Sequence, residues 1–420
     1  MYLRCIECGE HYPADELRTR CRCGSLLDVE LEISTPVDPS IFASRVSLAG
    51  GASGSGVWRY RELLPPFPDD VIVSRAEGNT NLYESGELAT WAGVARLVCK
   101  HEGENPTGSF KDRGMTVATT HARATGARMV ACASTGNTSA SVASYAAVAG
   151  IPAIVFVPEG KISAGKLGQT IAYGARIIQI RGDFDAAMKL VQDAASEFGI
   201  YILNSINPFR LEGQKAIVFE LLQQLDWQIP DWIVLPGGNL GNSSAFGKAL
   251  MDLRAAGILR DLPRIGVIQA AGAAPFYHAF KTDFRDYAPM VAKTVASAIQ
   301  IGDPVSYSKA VRTIRLTEGV VEVATDDEIL DAKARIDRAG IGCEPASAAS
   351  LAGLRKLVAS GVIDSGSTVA IILTGNVLKD TDTILSYHLG NEAGHHELAN
   401  RPVVIDPTLA ALGEVLADAD

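Results

Sequence analysis

The stretch Glu104-Asn-Pro-Thr-Gly-Ser-Phe-Lys-Asp-Arg-Gly114 decides how the 420-residue chain is read. A Pro-Thr-Gly turn leads into Ser109-Phe110-Lys111, and the residues after it predict a helix running through Arg113 toward Ala124. Lys111 then sits in the first helical turn, among unpaired backbone N–H groups at the positive end of the helix dipole. That end favours acids, so a lysine there is a candidate amine with a lowered pKa, suited to Schiff-base chemistry. The competing reading is a surface lysine whose ammonium points into water.

Outward from this segment, short apolar runs alternate with amphipathic ones. Strands are expected at Ala95–Cys99, Met129–Ala133, Ala153–Val157, Arg176–Ile180, Trp232–Leu235, Arg264–Gln269 and Thr368–Leu373. Helices are expected at Ser139–Ala149, Asp185–Phe198, Gly213–Leu225 and Asp326–Ala339. Such alternation indicates parallel sheets covered by helices on both faces. It is too long for one sheet and too uneven for an eight-fold barrel, which leaves two α/β domains with a cleft between them.

Two further loops offer anion sites. Ser134-Thr-Gly-Asn-Thr138 lies between a strand and a helix and presents hydroxyls, an amide and free N–H groups, an environment for a carboxylate. Gly237-Gly-Asn-Leu-Gly-Asn242 has the same placement, and its glycines let the backbone wrap a phosphate. It lacks the Gly-Lys-Ser/Thr ending of a nucleotide-hydrolysing P-loop. Each loop alone could be a plain strand-to-helix turn. A reactive amine, a carboxylate loop and a phosphate cradle together describe a pyridoxal phosphate site.

Cys5, Cys8, Cys21 and Cys23 form a C-x-x-C…C-x-C set in the first 23 residues, while Cys99, Cys132 and Cys343 sit in apolar contexts. Four thiolates that close together suit a tetrahedral, closed and therefore structural Zn²⁺ site. A metal-free knuckle and a redox pair are the alternatives. The segment Ser34 to Gly56, rich in Gly and Ser, is expected to be a flexible linker. With 38 Lys+Arg against 48 Asp+Glu the net charge is -10, which argues against nucleic acid as a partner. No apolar run reaches the about 18 residues of a membrane span, and the N-terminus shows no apolar signal segment. A soluble cytoplasmic protein is expected.

The Asn-Pro-Thr-Gly-Ser-Phe-Lys111-Asp-Arg-Gly segment resembles the cofactor-lysine motif of the fold type II pyridoxal phosphate enzymes, and within them the chain resembles the threonine synthases. The resemblance extends to Gly56-Val-Trp-Arg-Tyr-Arg-Glu-Leu-Leu-Pro65, Glu77-Gly-Asn-Thr-Asn-Leu82, Ser134–Ser141, Asn204-Ser-Ile-Asn-Pro-Phe-Arg210-Leu-Glu-Gly-Gln214, the Gly237 loop and Ala296–Gly302. It implies two three-layer α/β domains, tryptophan synthase β-like, with a small zinc-ribbon-like module at residues 1–30. Residues 31–99 and 205–420 would form the large domain and 100–204 the small one carrying the lysine.

By the same resemblance, Lys111 would hold pyridoxal 5'-phosphate as a Schiff base and shuttle protons. Phe110 would pack beside the ring, and Asn137 would meet its phenolic oxygen. Gly237, Gly238, Asn239, Leu240 and Gly241 would hold its phosphate. Thr374, in Leu373-Thr-Gly-Asn-Val-Leu-Lys-Asp380, would face the ring nitrogen. A hydroxyl there does not favour a protonated ring in the way a carboxylate would, so a weaker electron sink is expected. Ser134, Thr135 and Thr138 would bind the substrate carboxylate, and Asn204, Ser205 and Arg210 its phosphate. The competing reading of Arg210 is a surface ion pair with Glu212. Asn81 and Asn376-Val377 depart from the Pro and His-Gly common at these places in the family.

The implied reaction converts O-phospho-L-homoserine and water to L-threonine and phosphate, by an expected homodimer. The rivals are a synthase using O-phosphoserine, similar to cysteate synthase, and a threonine/serine dehydratase. A non-enzymatic adaptor would be expected to have lost Lys111 or the phosphate loop, and both are intact.

Overall fold

The computed structural model describes residues 1–33, 36–46, 51–159, 164–181, 190–191, 193–194, 197–390 and 396–417. Contacts divide the chain into a unit of residues Met1–Asp380 and a second of Thr381–Asp420.

At the N-terminus, β1 (Tyr2–Cys5), β2 (His11–Pro13) and β3 (Leu27–Glu30) form an antiparallel sheet in the order β2-β1-β3. Gly9 and Gly24 follow Cys8 and Cys23 with φ of 75° and 86°. Their left-handed backbones close two tight knuckles, with Gly9 N–H on the Cys5 carbonyl and Gly24 N–H on that of Cys21.

The largest sheet contains β4 (Leu82–Glu84), β5 (Arg96–His101), β10 (Trp232–Pro236), β11 (Arg264–Ala270), β12 (Val320–Ala324) and β13 (Thr368–Leu373). Its order is β12-β11-β10-β13-β5-β4, parallel throughout except for β4 on β5. Trp-Ile-Val-Leu-Pro of β10 is buried along its whole length, as expected for a strand covered on both faces. A second, wholly parallel sheet is made by β6 (Val130–Ala133), β7 (Ala153–Pro158), β8 (Arg176–Ile180) and β9 (Tyr201–Ile202), in the order β8-β7-β6-β9. All seven expected strands are present, with ends shifted by at most two residues.

The helix over Lys111–Ala124 starts and ends as read from the sequence. The expected Gly213–Leu225 helix is instead two, Pro208–Gln214 and Ala216–Gln224. Asn207 accepts from the N–H of Phe209 and Pro208 occupies the first turn, so the helix starts five residues early. Most of the expected Asp185–Phe198 helix lies outside the described residues.

The linker reading fails at its C-terminal end. Ser55 and Val57 are fully buried, and Gly56 N–H donates to the Glu77 carbonyl at 2.7 Å. A Cβ on Gly56 would overlap the Glu220 carboxylate and the backbone of Gly78 and Asn79. This glycine therefore serves close packing, not flexibility. Gly50 and the residues just before it lie outside the described residues.

Residues Thr381–Asp420 contribute helices Thr381–Leu389 and Leu409–Ala417. Within this unit His396 stacks on Tyr387, with ring centroids 4.2 Å apart. Among the described residues, no helix is long and apolar enough to cross a membrane.

Candidate active site

Every candidate segment follows the carboxyl end of a parallel strand: residues 102–111 follow β5, Ser134 follows β6, Asn204 follows β9, Gly237 follows β10 and Thr374 follows β13. In open α/β sheets this is the end at which ligands bind.

Two backbone links tie the lysine turn to the end of β13. Ser109 and Gly375 form an antiparallel bridge, Phe110 N–H donates to the Thr374 carbonyl at 3.0 Å, and Asn376 N–H donates to that of Gly108 at 2.9 Å. The turn itself is held by Asp112, whose carboxylate accepts from the N–H and hydroxyl of Thr107 and from Ser141, each at 2.6 Å. Burial raises the Asp112 pKa to about 6, against these hydrogen bonds.

Lys111 is half-buried, with its ammonium 4.1 Å from the centroid of the Phe110 ring. Burial drives its pKa down to about 7; the Arg210 cation adds to the shift and Glu344 opposes it. Removal from water and a neighbouring guanidinium, not the helix end expected from the sequence, are the causes of the shift.

Arg210 is 1 % exposed. Its Nη1 donates to the Leu203 carbonyl at 3.0 Å, its Nε has no partner, and burial lowers its pKa to about 10. Among the described residues it pairs with no carboxylate. Glu212 instead meets Lys215 at 2.6 Å and Lys248 at 3.3 Å, so the Arg210–Glu212 surface pair is not formed. A buried, unpaired cation beside a reactive amine is a site prepared for an anion. Asn204 holds the Ala133 backbone from both sides, N–H to Oδ1 and Nδ2 to carbonyl, each at 3.0 Å. It thereby fixes the start of the Ser134 loop. Ser134 Oγ accepts from Gly136 N–H at 3.2 Å, and Ser205, Thr135 and Thr138 are half-buried in this region.

The Gly237 loop has the character of a cradle. A Cβ on Gly237 would lie 2.6 Å from Val267 Cγ1, and one on Gly238 3.0 Å from Ile299 Cα. Leu240 takes a left-handed φ of 61°, and the helix Gly241–Ala255 begins after it. The buried Asn242 Oδ1 and Ser243 Oγ have no hydrogen-bond partner among the described residues. Asn239 anchors the far side by accepting Ser306 N–H on its carbonyl at 3.1 Å. A lysine with a lowered pKa, a glycine loop opening a helix and orphaned polar atoms beside it fit pyridoxal phosphate, with Lys111 to bond its aldehyde and the loop to take its phosphate.

Glu344 was missed in the sequence. It precedes Pro345 at the start of helix Pro345–Ala359 and reads as a helix cap, yet its side chain caps nothing. It is 4 % exposed and accepts from Asn137 Nδ2 at 2.9 Å and from Thr374 Oγ1 at 3.0 Å. Ser347 Oγ, also missed, lies 2.9 Å from Thr374 Oγ1. Lys379, in the same Thr374–Asp380 segment, donates to Gln169.

Beneath the site lies a buried ion network. Arg113 meets Glu102 at 2.6 Å and Glu220 at 2.7 Å, and Glu220 also meets Lys100 at 2.6 Å and Arg59 at 2.8 Å. Burial works against the Glu220 charge, but Arg113, Lys100 and Arg59 outweigh it and hold its pKa well below the usual range. Thr80 N–H and Asn79 N–H end on the same carboxylate, which fixes the Glu77–Leu82 loop.

The four N-terminal cysteines converge, all Sγ atoms lying within 4.8 Å of one another. Tyr12 Oη lies 3.1 Å from Cys21 Sγ.

Residues 73–375 match the family model described as pyridoxal-phosphate dependent enzyme. The chain is 46% identical over 390 residues to a threonine synthase of Methanocaldococcus jannaschii, covering 92% of this chain and 94% of that one. It is 45% identical over 419 residues to a threonine synthase of Methanosarcina acetivorans, covering 99% and 98%. The solved structure of Escherichia coli threonine synthase superposes with a TM-score of 0.70 over all of both chains at 19% identity, a likeness of fold.

Proposed function

Because the chain belongs to the pyridoxal-phosphate dependent enzymes, and among them to the threonine synthases, we propose that it converts O-phospho-L-homoserine and water to L-threonine and phosphate. The observation that carries the choice of substrate is Arg210, buried, without a carboxylate partner among the described residues, and close enough to Lys111 to lower its pKa. A dehydratase acting on a neutral hydroxyl substrate has no use for such a cation. A phosphorylated substrate does.

Pyridoxal phosphate, when bound, supplies the electron withdrawal that makes the substrate's Cα and Cβ protons removable. Lys111, free as an amine near neutral pH, takes the proton from Cα and then one from Cβ while phosphate departs from Cγ. It returns protons to Cγ and, after water has added at Cβ, to Cα. Arg210 and Ser205 grip the substrate phosphate, and Asn204 holds the backbone on which that pocket is built. Ser134, Thr135 and Thr138 receive the carboxylate at the start of the helix Asn137–Ala149. Asn137 would meet the cofactor's phenolic oxygen, Thr374 its ring nitrogen and residues 237–241 its phosphate, and Phe110 would pack beside its ring.

The converging Cys5, Cys8, Cys21 and Cys23 support a structural Zn²⁺, with Tyr12 beside one thiolate. The division into a 1–30 module, a large domain of 31–99 and 205–420 and a small domain of 100–204 remains our reading, as do a homodimer and a cytoplasmic location. Incubation with O-phospho-L-homoserine tests the function. Threonine formed in step with phosphate supports it. Phosphate with 2-oxobutyrate overturns it in favour of a deaminating lyase, and no phosphate overturns it in favour of O-phosphoserine with sulfite or sulfide.

A further inference from the structure

His121 lies on the Lys111–Ala124 helix and is 2 % exposed. Its two ring nitrogens reach different parts of the chain. Nε2 is 2.8 Å from the carbonyl oxygen of Ala14, the residue after β2, and Nδ1 is 2.6 Å from Tyr201 Oη. A carbonyl only accepts, so Nε2 carries the ring proton. Burial lowers the pKa of the ring to about 4, which leaves Nδ1 to accept from the Tyr201 hydroxyl. The imidazole also stacks on Phe209, with ring centroids 3.5 Å apart and planes 13° from parallel.

Tyr201 and Phe209 flank the segment that holds Arg210. Tyr201 begins β9, which leads to Leu203, and the Leu203 carbonyl accepts from Arg210 Nη1 at 3.0 Å. Phe209 is the residue before Arg210 itself. The guanidinium meets no carboxylate among the described residues, so no ion pair fixes its direction. Its place depends on the backbone around Leu203 and Arg210, and one imidazole contacts both flanks.

The N-terminal sheet has a second anchor on the same helix. Asp28 of β3 is 4 % exposed; Lys309 meets its carboxylate at 2.8 Å and the Leu27 carbonyl at 2.7 Å, and Arg312 meets the carboxylate at 2.7 Å. Burial works against the Asp28 charge, but Lys309, Arg312 and Lys248 outweigh it. Lys248 in turn pairs at 3.3 Å with Glu212, two residues past Arg210. The sheet is thus linked to the Pro208–Gln214 helix on both sides of Arg210, through Phe209 and through Glu212.

On the reading that Arg210 grips the substrate phosphate, we propose that the N-terminal sheet is part of the phosphate site, with His121 as the positioning residue that ties the Ala14 carbonyl to both flanks of the Arg210 segment. A sheet that only stabilised the fold would, when displaced, cost stability and leave phosphate affinity unchanged. A sheet that holds Arg210 is linked to the ligand, and the link is reciprocal: phosphate bound at Arg210 must hold the sheet in place.

The test uses holoenzyme, with pyridoxal phosphate in its own loop and inorganic phosphate as the probe, read by amide hydrogen exchange. At phosphate about ten times its dissociation constant, exchange in residues 1–30 should slow by at least about twofold, and Arg210→Ala should abolish the effect. His121→Phe keeps a ring to stack on Phe209 and loses the donor to Ala14. It should raise the dissociation constant of phosphate by at least about threefold while the absorbance of the bound cofactor stays unchanged. Phosphate that slows exchange over residues 201–214 but not over 1–30 overturns this proposal alone, as does wild-type phosphate affinity in His121→Phe. Slowing of residues 1–30 that persists in Arg210→Ala also overturns it. Phosphate that neither binds nor slows exchange anywhere overturns the reading of Arg210 as well. The wild-type exchange decides even if His121→Phe fails to fold.

Discussion

The backbone N–H of Phe110 donates to the carbonyl of Thr374 at 3.0 Å. It joins the residue before Lys111 to the residue after β13, although 264 positions of chain separate them. Lysine and hydroxyl are thereby held in register, the preorganisation that the proposed chemistry on one ring would require.

Lys111→Ala should abolish the absorbance of a Schiff base in protein incubated with pyridoxal phosphate and lower turnover by roughly 10²–10⁴-fold. A variant that keeps both the absorbance and the rate would remove Lys111 from the centre of the mechanism.

The pKa of Lys111, pushed down to about 7, makes a prediction about pH. Only the neutral amine attacks an aldehyde, so the rate at which apoenzyme captures pyridoxal phosphate should rise with pH through about 7 and then level off. An ordinary lysine would keep gaining up to its usual value near 10.4. Removing the Arg210 cation should move the midpoint upward, and removing the Glu344 anion should move it downward. Stopped-flow capture rates over a pH series measure all three.

Arg210→Ala should lower kcat as well as raise KM, because a departing phosphate left without its cation is a poorer leaving group. An effect confined to KM would restrict Arg210 to ground-state binding.

Glu220→Gln should destabilise the protein by about 3–5 kcal/mol, since Arg113, Lys100 and Arg59 would lose a shared buried carboxylate. Urea unfolding of the holoenzyme reads this directly. A loss below about 1 kcal/mol would mean that the network contributes packing and little else.

Much of this arrangement was legible in the sequence because local chemistry encodes it. The seven strands were found by apolar runs, and the helix at Lys111 by its Pro-Thr-Gly start. What escaped depends on residues far apart. Glu344 looks like a cap because it precedes Pro345, and only the approach of β13 shows that it serves Asn137 and Thr374. Gly56 reads as linker until Glu220, 164 residues later, is seen to need the space. Asn204 and Arg210 lie six residues apart in one motif. Their surroundings separate them: the former binds the Ala133 backbone through both its Oδ1 and its Nδ2, while the guanidinium of the latter meets no carboxylate among the described residues.

The four-cysteine site should bind one zinc per chain, and Cys8→Ser should weaken it. Metal analysis of protein purified without chelator checks this. Metal-free protein with four rapidly reacting N-terminal thiols would contradict a closed zinc site.

The measurement that bears most directly on the reaction is turnover of O-phospho-L-homoserine in H₂¹⁸O, with product oxygens read by mass spectrometry. Loss of phosphate from Cγ followed by water addition at Cβ places the label in the hydroxyl of threonine and leaves the phosphate unlabelled. Label in the phosphate, with homoserine as the organic product, would mean that the phosphorus–oxygen bond is broken and would contradict the account.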